Sequence, residues 1–351
     1  MRRASLLASD PPRRASRPLL QTRVSPAALC HLPAGSPRAV LAALLALLSS
    51  LPPAEGLHAR THAIELRDRG FTVIRDAPVG KQLASRVAGD CSDALESYLE
   101  RVAAAGCDPI ERLYSFSEIC HRQRLRWDIK LPDSARWRTL CSDAMAAASH
   151  VIEELHSLPV HEDDRGLRVP NGLLPARPRA LMAGAVISRA GATMQRFHAD
   201  APAEGLHARL SSKFPRHRLF TIFIPLVDIA EDADGTQFWP GSHLHRSGLP
   251  RYEEAIERSG ALENDELALS EMEAPACPAG GLIVYDYRTF HRGLHSIGRE
   301  RPVAYVLCST GGASVWSGYK FPKLEIEHAH TLDVDLNFPR WEELQRMGFR
   351  L

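Results

Sequence analysis

The sequence lacks the motifs of several large protein classes. It contains no C-x-x-C pair, no G-x-G-x-x-G, no P-loop G-K-[ST] and no internal repeat. These absences argue against a zinc cluster, a dinucleotide-binding Rossmann domain, a P-loop NTPase and a repeat array.

An excess of charge of either sign is also missing. The 351 residues carry 43 basic and 42 acidic side chains, a formal net charge of +1. This balance argues against a nucleic-acid-binding surface spread over the whole chain. The expected partner is a small-molecule substrate, and no nucleic acid. The seven cysteines are scattered and odd in number, which predicts reduced, mostly buried thiols rather than a disulfide framework.

The N-terminal stretch is poor in acidic residues and in lysine. Before Glu55 the only acidic residue is Asp10, and the first lysine is Lys81, whereas Arg, Ser and Pro are frequent. The apolar run 39–48 is too short for a transmembrane helix and suits the hydrophobic region of a signal. We therefore predict that residues 1–56 are a targeting segment, disordered or cleaved, with no stable transmembrane anchor in the mature form. A plastid or mitochondrion is the expected destination. The secretory pathway, or a disordered tail with one amphipathic helix, is the alternative.

The rest of the chain, 57–351, is expected to form a single domain. Helices are predicted over 63–70, 81–105 and 135–155, and a strand over 71–74. From residue 181 the pattern changes to short apolar segments with Gly and Pro between them, which indicates a sandwich or barrel. Strands are predicted at 181–188, 194–200, 219–228, 281–286 and 303–308.

A further strand is predicted over 126–132, where charged and apolar residues alternate. Trp127, Ile129 and Leu131 would face the core, and Arg126, Asp128 and Lys130 the other side. A solvated face is the commoner meaning of such a charged side. The alternative is a polar wall of an active site.

The most informative short motif is His198-Ala199-Asp200. Residues two apart on a strand point to the same side, so an imidazole and a carboxylate would lie together. They supply two of the three ligands of a non-haem Fe(II) site. A strand end or an N-cap is the commoner meaning of an isolated H-x-D. His291 is the best candidate for the third ligand, and the residue pattern leaves three rivals open: His295, His243 and His245.

Arg301 is a candidate anion-binding residue. It precedes an apolar strand, and a guanidinium at the mouth of a barrel needs an anion. A dicarboxylate that chelates iron at one end would meet this need. An ordinary surface ion pair with Glu300 is the alternative.

Three motifs together resemble the phytanoyl-CoA dioxygenase family. They are Gln195–Asp200 (Q-x-x-H-x-D), residues 225–243 (P-L-x-D, then T-x-x-x-P-G-S-H) and Asp286–Gly293 (D-x-R-x-x-H-x-G). The resemblance implies a mostly β, cupin-like double-stranded β-helix with flanking helices. It also implies a dependence on Fe(II), 2-oxoglutarate and O₂.

The same resemblance assigns roles to individual residues. His198, Asp200 and His291 would be the iron ligands, and Arg301 would bind the distal carboxylate of 2-oxoglutarate. Arg299 is a lesser candidate, because the segment after His291 departs from the family pattern. Gln195 and Thr221 would contact the cosubstrate or support the ligands, and His243 would hold a structural turn.

The implied reaction is hydroxylation with release of succinate and CO₂, since Asp200 stands where related halogenases lack the carboxylate. Two other classes remain open: a non-catalytic jelly-roll binding protein, and a hydrolase or isomerase with another metal in the same triad. Within the domain, we expect a helical part at about 57–175, the jelly-roll core at about 180–310, and a C-terminal covering segment at 311–351. The covering segment contains Trp316 and residues 337–339. The sequence does not identify the prime substrate.

Overall fold

The computed structural model describes residues 54–76, 79–114, 116, 118–164, 177–200, 219–244 and 246–310. In chain order, the helices and strands of this part are α1 (Ala54–Arg69), β1 (Phe71–Ile74), α2 (Lys81–Ala104), β2 (Ile119–Gln123), β3 (Arg126–Ile129), α3 (Ala135–Ser157), β4 (Arg179–Ser188), β5 (Leu219–Pro225), β6 (Thr236–Phe238), α4 (Gly248–Ser259), α5 (Glu266–Ser270), β7 (Leu282–Asp286), β8 (His291–Gly293) and β9 (Arg301–Ser309).

The strands form one large and one small antiparallel sheet. The large sheet has the order β1-β7-β5-β9-β4-β3-β2, and the small sheet pairs β6 with β8. An isolated bridge between His198 and His291 adds the H-x-D segment to the small sheet. A mostly antiparallel fold with flanking helices is therefore confirmed, and a large sheet facing a small one is the arrangement expected of a double-stranded β-helix.

Helices cover one face of the large sheet. Alternate strand residues such as Phe220, Ile222 and Ile224 pack in the same core as Leu95 of α2 and Leu140 of α3. The opposite residues of the strands turn toward the small sheet, as strand alternation requires. There Phe71 of β1 stacks on Phe238 of β6, with ring centroids 4.7 Å apart. The space between the two sheets is where the site lies.

The predicted helices all exist, and their ends have local causes. Helix α1 starts at Ala54 rather than Ala63, and it stops before Gly70, whose φ of 85° suits glycine. Ser134 caps α3, since its side chain accepts a hydrogen bond from the Trp137 amide at 3.1 Å. Helices α4 and α5 were not predicted.

One predicted strand is wrong. Residues 194–200 form only the bridge at His198, although the amides of Gln195 and His198 donate to the Gly293 and His291 carbonyls of β8. On its outer side the Phe197 amide donates instead to the Glu263 carboxylate at 3.0 Å. The Glu263 side chain thus provides the hydrogen-bond acceptor that a second neighbouring strand would otherwise provide.

The thiol prediction is confirmed for the described cysteines. All six are free, and five of them are buried. No helix among the described residues has the length and apolar character needed to cross a membrane. Four predictions fall outside the described residues: most of the targeting segment, His245, Trp316 and the segment 337–339.

Candidate active site

Three of the predicted ligands lie together between the sheets. The ligand atoms of His198, Asp200 and His291 all fall within 4.8 Å of one another. Nε2 of His291 is 4.0 Å from Oδ2 of Asp200, and the two imidazole centroids are 4.6 Å apart. Two imidazoles and one carboxylate are the donor set of non-haem Fe(II) oxygenases. His295, by contrast, is exposed on the loop after β8.

Backbone carbonyls orient both histidines. Nδ1 of His198 donates to the Arg196 carbonyl at 2.9 Å, and Nδ1 of His291 donates to the Thr289 carbonyl at 2.9 Å. Each donation places the ring proton on Nδ1 and leaves the Nε2 lone pair available to a metal. The residues present therefore fit an Fe(II) ion.

The carboxylate of this group, Asp200, is held by a buried tyrosine that was not predicted. The Tyr285 hydroxyl donates to Oδ2 of Asp200 at 2.7 Å, and Tyr285 is fully buried. Burial and the neighbouring Asp200 charge raise the pKa of Tyr285 well above its usual value. The phenol therefore stays protonated and acts as a donor.

Two buried arginines lie on the wall formed by the large sheet. Strand register places Arg301 of β9, Ser188 of β4 and Arg126 of β3 in one row. Burial lowers the pKa of Arg301 to about 10 and that of Arg126 to about 9, so both are cationic at neutral pH. Arg301 contacts the Ser188 hydroxyl at 3.4 Å, and its Nε and Nη1 have no partner in the described part of the chain.

Arg126 is fixed by the loops that flank the ligands. Its Nη2 donates to the carbonyls of Thr193 and Leu294, at 3.0 Å and 2.7 Å. Within the described ranges neither Arg126 nor Arg301 forms an ion pair with a carboxylate. Two buried positive charges without carboxylates make this wall a site for an anion.

Arg299, the lesser candidate for the cosubstrate, has a different environment. It pairs with Asp234 at 3.0 Å, and 43% of its side chain is exposed. It does not line the cavity.

A cavity of about 530 Å³ connects the ligands with the arginines. Its wall includes His198, Asp200 and His291 on the side of the small sheet and Arg126 and Arg301 on the side of the large sheet. This volume is in the range of small-molecule sites.

Comparison with known families agrees with this geometry. The model of the phytanoyl-CoA dioxygenase family matches residues 139–298. The matched residues include His198, Asp200 and His291. Arg126 and Arg301 lie on strands outside the matched region.

Solved structures give looser overlaps. The α-ketoglutarate-dependent epimerase SnoN from nogalamycin biosynthesis is 16% identical, with a TM-score of 0.41 over 72% of this chain and 82% of that one. EctD from S. alaskensis with 2-oxoglutarate and 5-hydroxyectoine is 13% identical, with a TM-score of 0.44 over 74% and 79%. AviO1 from Streptomyces viridochromogenes Tue57 is 15% identical, with a TM-score of 0.44 over 72% and 95%. Comparison with curated proteins found no match.

The P-G-S-H turn is hydrogen-bonded to the segment that carries His291. Gly241 has a φ of 76° and its amide bonds the Arg69 carbonyl, while the His243 Nε2 donates to the Arg67 carbonyl at 3.0 Å. The Ser242 hydroxyl accepts from the Phe290 amide at 2.9 Å. The predicted structural role of His243 is therefore seen in the geometry, and Ser242 connects the turn directly to His291's segment.

Gln195 and Thr221 occupy different places. Gln195 lines the cavity, and its Oε1 accepts from the Gly293 amide at 2.9 Å. Thr221 is buried opposite Tyr285 in the large sheet, away from the cavity wall. Gly293 is needed because a Cβ there would lie 1.9 Å from Nη1 of Arg126.

The charged side of β3 faces the site, not solvent. Arg126 is 1% exposed and Asp128 7% exposed, and both line the cavity. Asp128 accepts from Arg122 at 3.0 Å and from the Tyr305 hydroxyl at 2.9 Å. The solvated-face interpretation of this strand is wrong for these two residues, and the alternative, a polar wall, is correct. Strand alternation was the signal that placed them, but it could not show which sheet they would face.

Proposed function

We propose that this chain is an Fe(II)- and 2-oxoglutarate-dependent dioxygenase that hydroxylates a small organic or acyl substrate. The observation that carries the proposal is one cavity lined on one side by a His-Asp-His group and on the other by a buried Arg301, which has no carboxylate partner among the described residues. A metal-chelating dicarboxylate satisfies both sides at once. When bound, iron and 2-oxoglutarate would supply oxidative decarboxylation with O₂ as the oxidant, in which one oxygen atom enters succinate, CO₂ is released and the other oxygen atom hydroxylates the substrate.

The chain's own residues bind and orient these groups. His198 and His291 present Nε2 because their Nδ1 protons are held by carbonyls. Asp200 supplies the charged ligand, and its presence favours hydroxylation as the outcome. Arg301 offers a guanidinium fork that matches the geometry of a carboxylate. Arg126 adds a second positive charge to the same wall, so the cavity favours a doubly negative cosubstrate.

The first test needs no prime substrate. Purified protein beginning near residue 57 receives Fe(II) and then 2-oxoglutarate without oxygen, and the visible charge-transfer band of the chelate is recorded. We expect a band in the wild type and none in His198→Ala or Asp200→Ala. A folded, iron-loaded wild type without a band would contradict the proposal.

A comparison of Arg301→Ala with Arg299→Ala tests which arginine binds 2-oxoglutarate. Truncating one partner of a buried charge pair costs about 2 kcal/mol or more, which is about a 30-fold loss of affinity. Titration of the band should therefore show 2-oxoglutarate binding at least about 30-fold weaker in Arg301→Ala. The control is Arg299→Ala, because Arg299 is partly exposed and already paired with Asp234. Equal losses in the two variants would remove Arg301 from its assigned role.

For the N-terminal region, we propose a targeting function. Its support is the composition of residues 1–56, rich in arginine and serine and almost without acidic residues. A fusion of residues 1–56 to a fluorescent protein should enter plastids or mitochondria in cells that contain both. Uniform cytosolic fluorescence would contradict the targeting function, and entry into the secretory pathway would select the alternative destination.

A further inference from the structure

Tyr285 stands out among the residues around the ligands. It lies on β7, the second strand of the large sheet, between β1 and β5, and its hydroxyl donates to Asp200. The oxygen that it contacts, Oδ2, is also the one 4.0 Å from Nε2 of His291. The phenol therefore meets the metal-facing side of the carboxylate.

The surroundings of this ring are aromatic. Phe223, Phe238 and His291 lie with ring centroids 5.0, 5.3 and 4.9 Å from that of Tyr285. A phenylalanine would fill the same space and make the same ring contacts. Burying a hydroxyl costs free energy unless it is hydrogen-bonded, so the group needs a reason to be here. Its bond to Asp200 is that reason.

We propose that Tyr285 is a positioning residue that fixes the Asp200 carboxylate for metal binding and tunes its charge. It acts through Asp200 and touches neither substrate nor cosubstrate. Hydrogen bonds to a ligating carboxylate hold its orientation, and their loss typically weakens metal affinity about 10–100-fold. A donor on the carboxylate also withdraws negative charge from the metal. The inference rests on the metal site of the proposed function.

The test compares two buried tyrosines. Tyr305 also donates to a buried carboxylate, that of Asp128 at 2.9 Å, but Asp128 is not one of the ligand group. Co(II) affinity is measured by titration of Tyr285→Phe and Tyr305→Phe without 2-oxoglutarate. We expect Co(II) binding about 10–100-fold weaker in Tyr285→Phe and within about twofold of wild type in Tyr305→Phe.

A second measurement separates positioning from packing. In the Fe(II)–2-oxoglutarate complex, the charge-transfer band should move to longer wavelength in Tyr285→Phe, because the metal becomes more electron-rich without the donor. A loss of packing would not shift the band. In an Asp200→Ala background, Tyr285→Phe should leave the residual Co(II) affinity unchanged, since the partner is already gone.

Three results would overturn this inference: unchanged Co(II) affinity in Tyr285→Phe, an equal loss in Tyr305→Phe, or a further loss in the Asp200→Ala background. Failure of the proposed function looks different. It would appear as Co(II) bound by the wild type without any charge-transfer band on addition of Fe(II) and 2-oxoglutarate. The Co(II) titrations still report on Tyr285 in that case.

Discussion

The two sides of the cavity, an arginine end on the large sheet and a ligand end on the small sheet, are built in different ways. Arg301 lies on the nine-residue strand β9 in the middle of the seven-stranded sheet, and Arg126 lies on the four-residue strand β3, which pairs with the ten-residue β4. The ligand end stands on the three-residue strand β8 and one isolated bridge. Backbone pairing of these strands places Arg126 and Arg301 in one row. At the ligand end, side chains accept the backbone hydrogen bonds that a longer strand ladder would otherwise accept.

These side-chain contacts are individual hydrogen bonds. In each of them a side-chain oxygen accepts a hydrogen bond from a backbone amide. The acceptor and donor residues are Ser242 and Phe290, Gln195 and Gly293, and Glu263 and Phe197. The three recognisable motifs of the sequence supply most of these groups. The comparison teaches that conspicuous motifs belong to the end with little regular structure, whereas the sheet end shows only alternation of apolar residues. It also implies that single substitutions should have specific effects at the ligand end.

The largest effect is expected for the ligand His291. In His291→Ala, one of three metal donors is lost, so Co(II) or Fe(II) affinity should fall by more than the 10–100-fold typical of supporting residues. Isothermal titration calorimetry of the metal-free protein measures this. The matched control is His295→Ala, which changes an exposed histidine on the following loop and should leave affinity as it is. A similar loss in both variants would contradict the ligand assignment.

Gly293→Ala should be next in size, because it disturbs both ends at once. The new Cβ would lie 1.9 Å from Nη1 of Arg126 and 2.6 Å from Oε1 of Gln195, so the guanidinium must move. Overpacking of this kind typically costs about 1–3 kcal/mol. We expect that loss in guanidinium chloride unfolding, together with weaker 2-oxoglutarate binding.

The control for Gly293→Ala is a glycine whose replacement should change the free energy of unfolding in the opposite direction. Gly89 lies inside α2, and a Cβ there meets nothing within 4 Å. Gly89→Ala should raise the free energy of unfolding by about 0.5–1 kcal/mol, since alanine is the better helix former. If Gly293→Ala were also neutral or stabilising, the close approach of Arg126 to the ligand strand would be refuted.

Ser242→Ala tests the hydrogen bonds of the ligand end. It leaves the buried Phe290 amide, next to His291, without its acceptor, which should cost about 1–3 kcal/mol of unfolding free energy. Metal affinity should fall with it, because the carbonyl that orients His291 belongs to the adjacent Thr289. Ser270→Ala, at an exposed serine, is the control. A stability loss without any change in metal affinity would show that the turn supports the fold alone.

Local spacing explains what the sequence could predict. His198 and Asp200 are two residues apart, and the helix ends were visible in Gly70 and Ser134. Arg126 and Tyr285 could not be assigned, because their positions depend on pairing between strands distant in the chain. Arg126 reaches the row of Arg301 only through the register of β3 with β4 and of β4 with β9.

Short strands were the other limit. Strands β6 and β8 have three residues each, too few for a periodic pattern. The segment around His198 was predicted as a strand because its residues alternate. In the structure, its Phe197 amide donates to the Glu263 side chain and not to another strand. Helix α4 was missed although it ends at Gly260 with a φ of 76°, a signal that a search for C-caps could have found.

The smallest effect is expected where the large sheet meets its helices. Ser134 caps α3 by accepting from the Trp137 amide, and its replacement by alanine should lower the free energy of unfolding by about 1 kcal/mol. Metal and 2-oxoglutarate affinities should stay the same, since α3 packs on the face of the sheet opposite the cavity. Denaturant unfolding and the charge-transfer titration measure the two quantities on one sample. An altered affinity in Ser134→Ala would mean that the helical side also positions the site, and the division between a ladder-built wall and a side-chain-built ligand end would then be wrong.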